Sequence, residues 1–203
     1  MSSAQHVLQR LNPIDQKVVK DVAALLEETS RQTQEFARTT DLHCKAGCGK
    51  CCENPNVETT VSELMPLAVE LWAAAGAEAV LTAVAQAGSK GTCVFYKPDP
   101  AMAGNGRCSV YAQRPGICRL FGFSAKTDKH GKARLITCKV IKEQSGTQYA
   151  QAQESLDAGA TAPMISAFTM KVYDIDPLRG MELFPINKAV RLALQRVGMA
   201  LDI

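Results

Sequence analysis

A chain of 203 residues is long enough to bury a real hydrophobic core without cross-links, and it fits one domain spanning 1–203. A net charge of only +3, with one tryptophan, four tyrosines and six phenylalanines, argues against the basic, aromatic-rich face that nucleic acid requires. The N-terminal stretch MSSAQHVLQRLNPIDQKVVK lacks an apolar signal-peptide core, and no apolar run of about 18 residues follows, so the expectation is a cytoplasmic protein without a membrane span.

The first long element is a helix. Asn12 can cap it, Pro13 suits its first position, and Asp15 favours the positive end of its dipole. Ile14, Val18, Val22, Leu25, Leu26 and Thr29 recur three or four residues apart and mark its core face, with the end expected near Arg38. The helix delivers the chain to HCKAGCGKCCENP, residues 43–55, where Cys44, Cys48, Cys51 and Cys52 fall within nine residues. Gly47 and Gly49 make this loop permissive of left-handed turns and of close backbone approach.

Two helices are expected next. The first lies in VSELMPLAVELWAAAG, with Ser62 as cap, Pro66 in its first turn and Gly76 as its stop; AEAVLTAVAQAG gives the second, ended by Gly88. After Gly91 the pattern changes. TCVFYK and GRCSVY read as strands joined by PDPAMAGN, and a register pairing Lys97 with Gly106 would put Cys93 opposite Val110, on the same face as Cys108. LFGFSAK and KARLITCK form a second hairpin closed by TDKHG, whose basic residues read as a solvated tip. From about Thr147 onward helical patterns return, and Asn187 is placed to cap a final helix with Val190, Leu194 and Val197 inward. The fold class is therefore α+β and mostly helical, its helices packed around a small antiparallel β-hairpin region and a cysteine-rich loop.

The eight cysteines follow C-x3-C-x2-C-C and then Cys93, Cys108, Cys118 and Cys138. In a reducing compartment such a set reads as metal ligands or catalytic thiols before disulfides. Four thiolates complete the shell of a closed site for zinc or an iron–sulfur cluster. A zinc ribbon would show two C-x2-C knuckles; here there is one, Cys48 to Cys51, and the distal cysteines are separated by 14, 9 and 19 residues. C-x3-C-x2-C also matches radical S-adenosylmethionine enzymes, but the loop follows a helix, Lys50 stands where an aromatic is usual, and no strand–helix repeats follow. Adjacent Cys51 and Cys52 have diverging side chains, so one thiol is structural or reactive, or the two serve different metals. Cys118, in YAQRPGICRLFGF, would sit in the first turn of a short helix begun by Pro115, with Arg114 and Arg119 adding charge that favours a thiolate. Cys138 reads equally well as a buried small hydrophobe on its apolar strand. His43, beside the loop, reads as solvated or hydrogen-bonded before a ligand.

CKAGCGKCC, CVFY and RCSVYAQRPGICRLFGF together resemble the YkgJ-type cysteine-cluster (CxxCxxCC) family, named for zinc or iron chelation. The resemblance covers about residues 44–120 and implicates Cys44, Cys48, Cys51, Cys52, Cys93, Cys108 and Cys118. The first spacing has three residues here where the family has two, and Cys138 lies beyond the strongest part. A similar cysteine domain in flagellin lysine N-methylase implies an enzymatic alternative: methyl or electron transfer to a protein, dependent on a cluster.

The expectation is thus a metal-binding region over 44–138. It would hold a 4Fe-4S iron–sulfur cluster, ahead of zinc, through Cys44, Cys48, Cys51, Cys52, Cys93, Cys108, Cys118 and Cys138, with a protein partner or protein substrate possible. A structural zinc module and a redox switch at Cys51–Cys52 are the other readings.

Overall fold

Asn12 caps the longest helix, α2 (Pro13–Thr40), by accepting the Asp15 amide, and Pro13 begins it. In the computed structural model, which describes residues 2–102 and 104–202, α2 is preceded by a short helix, α1 (Ser3–Arg10), closed by a Ser2–Gln5 capping box. Val18, Val22, Leu25, Leu26 and Thr29 are buried as expected; Ile14 is instead exposed. The helix ends at Thr40, with Asp41 in the left-handed conformation turning the chain into the cysteine loop.

Within that loop, α3 (Lys50–Glu53) is a single turn. Then β1 (Glu58–Thr60) leads into α4 (Val61–Ala73) and α5 (Ala77–Ala87). The cap of α4 is Thr60 rather than Ser62, because Thr60 and Glu63 close a capping box; Pro66 consequently sits beyond the first turn. The hairpin β2 (Tyr96–Pro98) with β3 (Gly106–Cys108) is shorter than expected. Its register is also one residue away: Lys97 pairs with Arg107, Tyr96 with Cys108 and Pro98 with Gly106. This register lays the Tyr96 ring over Gly106, where a Cβ would come within 2.2 Å of it. Ala103, in the turn of this hairpin, lies outside the described residues.

After a 3-10 turn (Tyr111–Gln113) come α6 (Gly116–Leu120), the hairpin β4 (Ser124–Thr127) with β5 (Ala133–Ile136), α7 (Lys139–Gln144), α8 (Gly146–Asp157), α9 (Ile165–Ile175), β6 (Leu183–Pro185) and α10 (Ile186–Ala200). β1 pairs antiparallel with the distant β6, Thr59 opposite Phe184. The structure is thus mostly helical, with ten α-helices and three small antiparallel pairs among the described residues.

Three apolar clusters line α2 in turn. Val19 joins Leu64, Met65, Ala68, Val190, Leu194 and Val197, where α4 packs on α10. Val18, Val22 and Leu25 meet Leu120, Phe168 and Val172. Phe36 meets Leu42, Ala125, Leu135, Ile141 and Leu156 beneath the second hairpin. The cysteine loop leaves the far end of this helix. Among the described residues, no helix is long and apolar enough to cross a membrane.

Candidate metal centre

Two backbone hydrogen bonds stitch the cysteine loop to the segment that follows α5. Cys93 N–H donates to Cys52 O at 3.2 Å, and Gly106 N–H donates to Gly47 O at 2.8 Å, beside an isolated bridge between Cys48 and Asn105. Gly47 has φ of +71°, the left-handed conformation its position requires. Gly49 is needed for space: a Cβ there would come within 2.1 Å of the Tyr96 ring. That ring fills the gap between Gly49 and Gly106, and its hydroxyl shares its one proton between Asn105 O at 3.1 Å and Glu53 Oε1 at 3.2 Å.

Cys93 lies ahead of β2, in a turn closed by Tyr96 N–H donating to Cys93 O, and not on the extended strand expected for it. The reason is Asn187. It does not cap α10, which follows Pro185; it is buried, and its amide reaches across to the segment before Cys93. Nδ2 donates to Gly88 O and Thr92 O at 3.1 Å and to Gly91 O at 3.4 Å, while Oδ1 accepts from Val94 N–H at 3.1 Å. These bonds occupy the backbone groups that a longer strand would have needed.

Cys118 occupies the five-residue helix α6, as its Pro–Gly start implied. The helix is held by Glu63, whose Oε2 accepts from Gly116 N–H at 2.7 Å. Burial raises the Glu63 carboxyl above its usual range despite the amides it accepts. Arg119 lies within reach of the Cys118 charge, as expected, but makes its hydrogen bonds elsewhere. It is buried, and its guanidinium donates to Arg114 O at 2.8 Å, to Ala112 O and to Ser30. Arg114 is the cation that favours the thiolates of Cys51, Cys108 and Cys118. It stacks 3.7 Å from the Tyr111 ring centroid, and its Nε is buried without a protein acceptor.

All eight cysteines are free thiols. Cys52, Cys93, Cys108 and Cys118 pack against the core cluster of α4 and α10. Their charges would also repel one another and Cys51, a smaller contribution to the raised Cys52, Cys93 and Cys118 thiols than hydrogen bonding for Cys52 and burial for the other two. Desolvation is the largest cause for Cys93, pushed up to about 11, and for Cys118, which goes higher. The expected thiolate at Cys118 is therefore disfavoured by burial in the absence of metal. Cys51 goes the other way. A hydrogen bond from Cys52 is the main cause that brings it down to about 6, and Cys52 rises in consequence.

Cys44 and Cys48 lie at the loop entrance. Cys44 is pushed up to about 11 by partial desolvation of its sulfur, then by the neighbouring thiols of Cys48, Cys138 and Cys51. Cys138 is past β5 rather than on it. It caps α7, its sulfur accepting Ile141 N–H at 3.4 Å, and it is only partly buried against the cluster around Phe36. His43 is exposed and turns Nδ1 to Asp41 O at 3.1 Å.

The structure thus brings thiols from the loop, the segment before β2, β3 and α6 onto one apolar cluster, and leaves Cys138 against another. Among the described residues, no three His, Cys, Asp or Glu side chains stand in a ready-made metal shell. The donor chemistry nevertheless suits a soft or borderline metal: free thiols, one of low pKa, beside an arginine with an unpaired donor. Glu63, Tyr96 and Asn187, which set the positions of the cysteine segments, were not read as site residues in the sequence. Only Glu63 carried a local signal, Thr60–Glu63 at capping-box spacing.

No curated protein and no solved structure matches the chain. The family model for CxxCxxCC, described as "Putative zinc- or iron-chelating domain", matches residues 43–151. That span opens beside Cys44 and closes after Cys138, so it takes in all eight cysteines. With more than half its length so matched, the chain belongs to the CxxCxxCC family.

Proposed function

We propose that the protein binds a metal centre through its clustered cysteines, and that the centre is an iron–sulfur cluster of the 4Fe-4S type ahead of zinc. The observation that carries this reading is the convergence of Cys52, Cys93, Cys108 and Cys118 on one apolar cluster from four separate segments, with no disulfide among them. A core of this size has no need of buried thiols for packing alone; brought together without metal they are only mutually repulsive when charged. A metal would stabilise the thiolates and tie those segments together. The uneven spacing of the distal cysteines favours a cluster over a zinc ribbon.

On this reading residues 44–138 form the metal-binding region of one domain covering the chain. Cys44, Cys48, Cys51 and Cys138 supply further thiols at its rim. Eight free cysteines are consistent with the reducing cytoplasm.

The test is anaerobic purification followed by assay of iron, zinc and acid-labile sulfide with a visible spectrum. A brown protein with near-equal iron and sulfide is the expected result. A colourless one with stoichiometric zinc transfers the site to zinc, and one with neither metal after reconstitution removes the reading.

A further inference from the structure

Other arginines of the interior spend their guanidinium donors inside the protein. Arg119 donates from Nε and both terminal nitrogens, and Arg179 and Arg196 share Asp15. Arg114 differs: its Nε is buried and has no acceptor among the described residues. An unpaired donor on a buried cation costs free energy, so its place in the fold calls for an acceptor. The backbone holds this side chain at a corner. Gln113 N–H donates to Val110 O at 2.9 Å and Cys118 N–H to Pro115 O at 3.1 Å, so the link from Cys108 to Cys118 makes two turns with Arg114 between them. Arg119 Nε clamps the Arg114 carbonyl at 2.8 Å, and the Tyr111 ring covers the Arg114 guanidinium at 3.7 Å. Both ends of the link, Cys108 and Cys118, pack on the apolar cluster that also receives Val110.

We propose that Arg114 is a positioning residue of the metal centre: its Nε–H donates to a metal-bound sulfur of Cys108 or Cys118, and its charge offsets that of the thiolates. This rests on the metal-binding reading above. Three observations favour sulfur as the acceptor. The Nε is closed to bulk solvent, so a dissolved anion does not reach it. Glu63, the buried carboxylate that meets this segment, is already engaged by Gly116 N–H and by Thr60. The sulfurs at the two ends of the link are free thiols, and the charge of Arg114 is felt at both. A thiolate bound to metal keeps lone pairs and negative charge, so a guanidinium donor stabilises it and disfavours the protonation that releases metal. Lysine would supply the charge from a flexible stem but no donor at the Nε position.

Arg114→Gln and Arg114→Lys, as full chains loaded anaerobically with zinc, are compared with the wild type. Arg114→Gln should release zinc to a chelator about tenfold faster at pH 7, and the pH of half-release should move up by about one unit, because protons then compete better for the sulfurs. Arg114→Lys should recover part of that pH shift. A merely structural arginine would lower the unfolding midpoint of both variants and leave the pH of half-release in place; that result overturns the proposal, as does equal behaviour of all three proteins. Should Arg114→Gln fail to fold, the wild type gives the second readout. With isotope-labelled arginine and NMR-active cadmium in place of zinc, the Arg114 Nε proton, assigned by its loss in Arg114→Lys, should show scalar coupling to cadmium through the sulfur. Absence of that coupling in protein that has taken up cadmium overturns the assignment alone. A wild type that takes up neither zinc, cadmium nor iron with sulfide overturns the metal reading itself, a distinct result.

Discussion

The backbone N–H of Cys93 donates to the carbonyl of Cys52 across 41 residues of sequence, at 3.2 Å. Neither side chain takes part, so the contact survives replacement of either sulfur. It fixes the spacing between the cysteine loop and the segment after α5, and the metal-binding account depends on that spacing.

Asn187 is the residue that holds the Cys93 side of this contact. Replacing it with alanine leaves Val94 N–H and the carbonyls of Gly91 and Thr92 without their partner, and Gly88 O with the Gly91 N–H alone. A buried group of this kind costs about 2–4 kcal/mol when removed. Urea unfolding of Asn187→Ala should show a loss in that range, and metal should leave the variant faster than the wild type under chelator. Asn187→Asp should do no better, since a carboxylate cannot donate to three carbonyls.

Tyr96 stands over Gly49 and Gly106 with no room for a Cβ at either. Gly106→Ala should therefore force the ring out and part the loop from the hairpin, lowering stability by about 1–3 kcal/mol with loss of metal. Tyr96→Phe keeps the ring and gives up only the bonds to Glu53 and Asn105, so a loss of about 1 kcal/mol with metal retained is expected. Thermal melts and metal assay of the two variants separate packing from hydrogen bonding.

Glu63 ties α4 to α6 and hence to Cys118. Its carboxyl is raised by burial, so the folded protein holds the proton over a range where the unfolded chain has released it. The sign follows: this group favours folding below the unfolded carboxylate value, about 4.3, and that contribution is lost as pH rises through the folded value. Glu63→Ala should remove this dependence and also strand Gly116 N–H and Thr60 N–H, costing about 2–3 kcal/mol. Denaturation of wild type and variant across pH 4 to 8 checks both statements; a difference between them that does not move with pH contradicts the first.

Cys51 should be the first thiol alkylated in metal-free protein. Its lowered value of about 6 makes it largely thiolate at pH 7, whereas Cys93 is held neutral by burial. Cys52→Ala removes the donor responsible, so the Cys51 labelling rate at pH 7 should fall several-fold toward that of an ordinary thiol. Timed iodoacetamide labelling with peptide mapping gives the order directly.

The parts of the fold that could be read in the sequence are those with local causes. Asn12–Pro13–Asp15 marks the start of α2, Gly76 and Gly88 bound α5, and Pro115–Gly116 opens α6. The pairing of β1 with β6 could not be read, since Thr59 meets Phe184 only after the helices between them have packed. The register of β2 and β3 was missed by one residue because the deciding contact is Tyr96 against Gly49, which lies outside the hairpin. Asn187 looked like a cap because caps are local; its partners are about 95 residues away. The cysteine pattern itself marked the candidate site, while Asn187 and Tyr96, which hold its segments in place, became visible only in three dimensions.

The central claim is that sulfur from separate segments closes on metal. X-ray absorption at the metal edge of the reconstituted full chain tests it most directly. The account predicts a first shell of sulfur alone, at about 2.3 Å. A shell dominated by nitrogen or oxygen would contradict it, and would show that the gathered thiols are not what holds the metal.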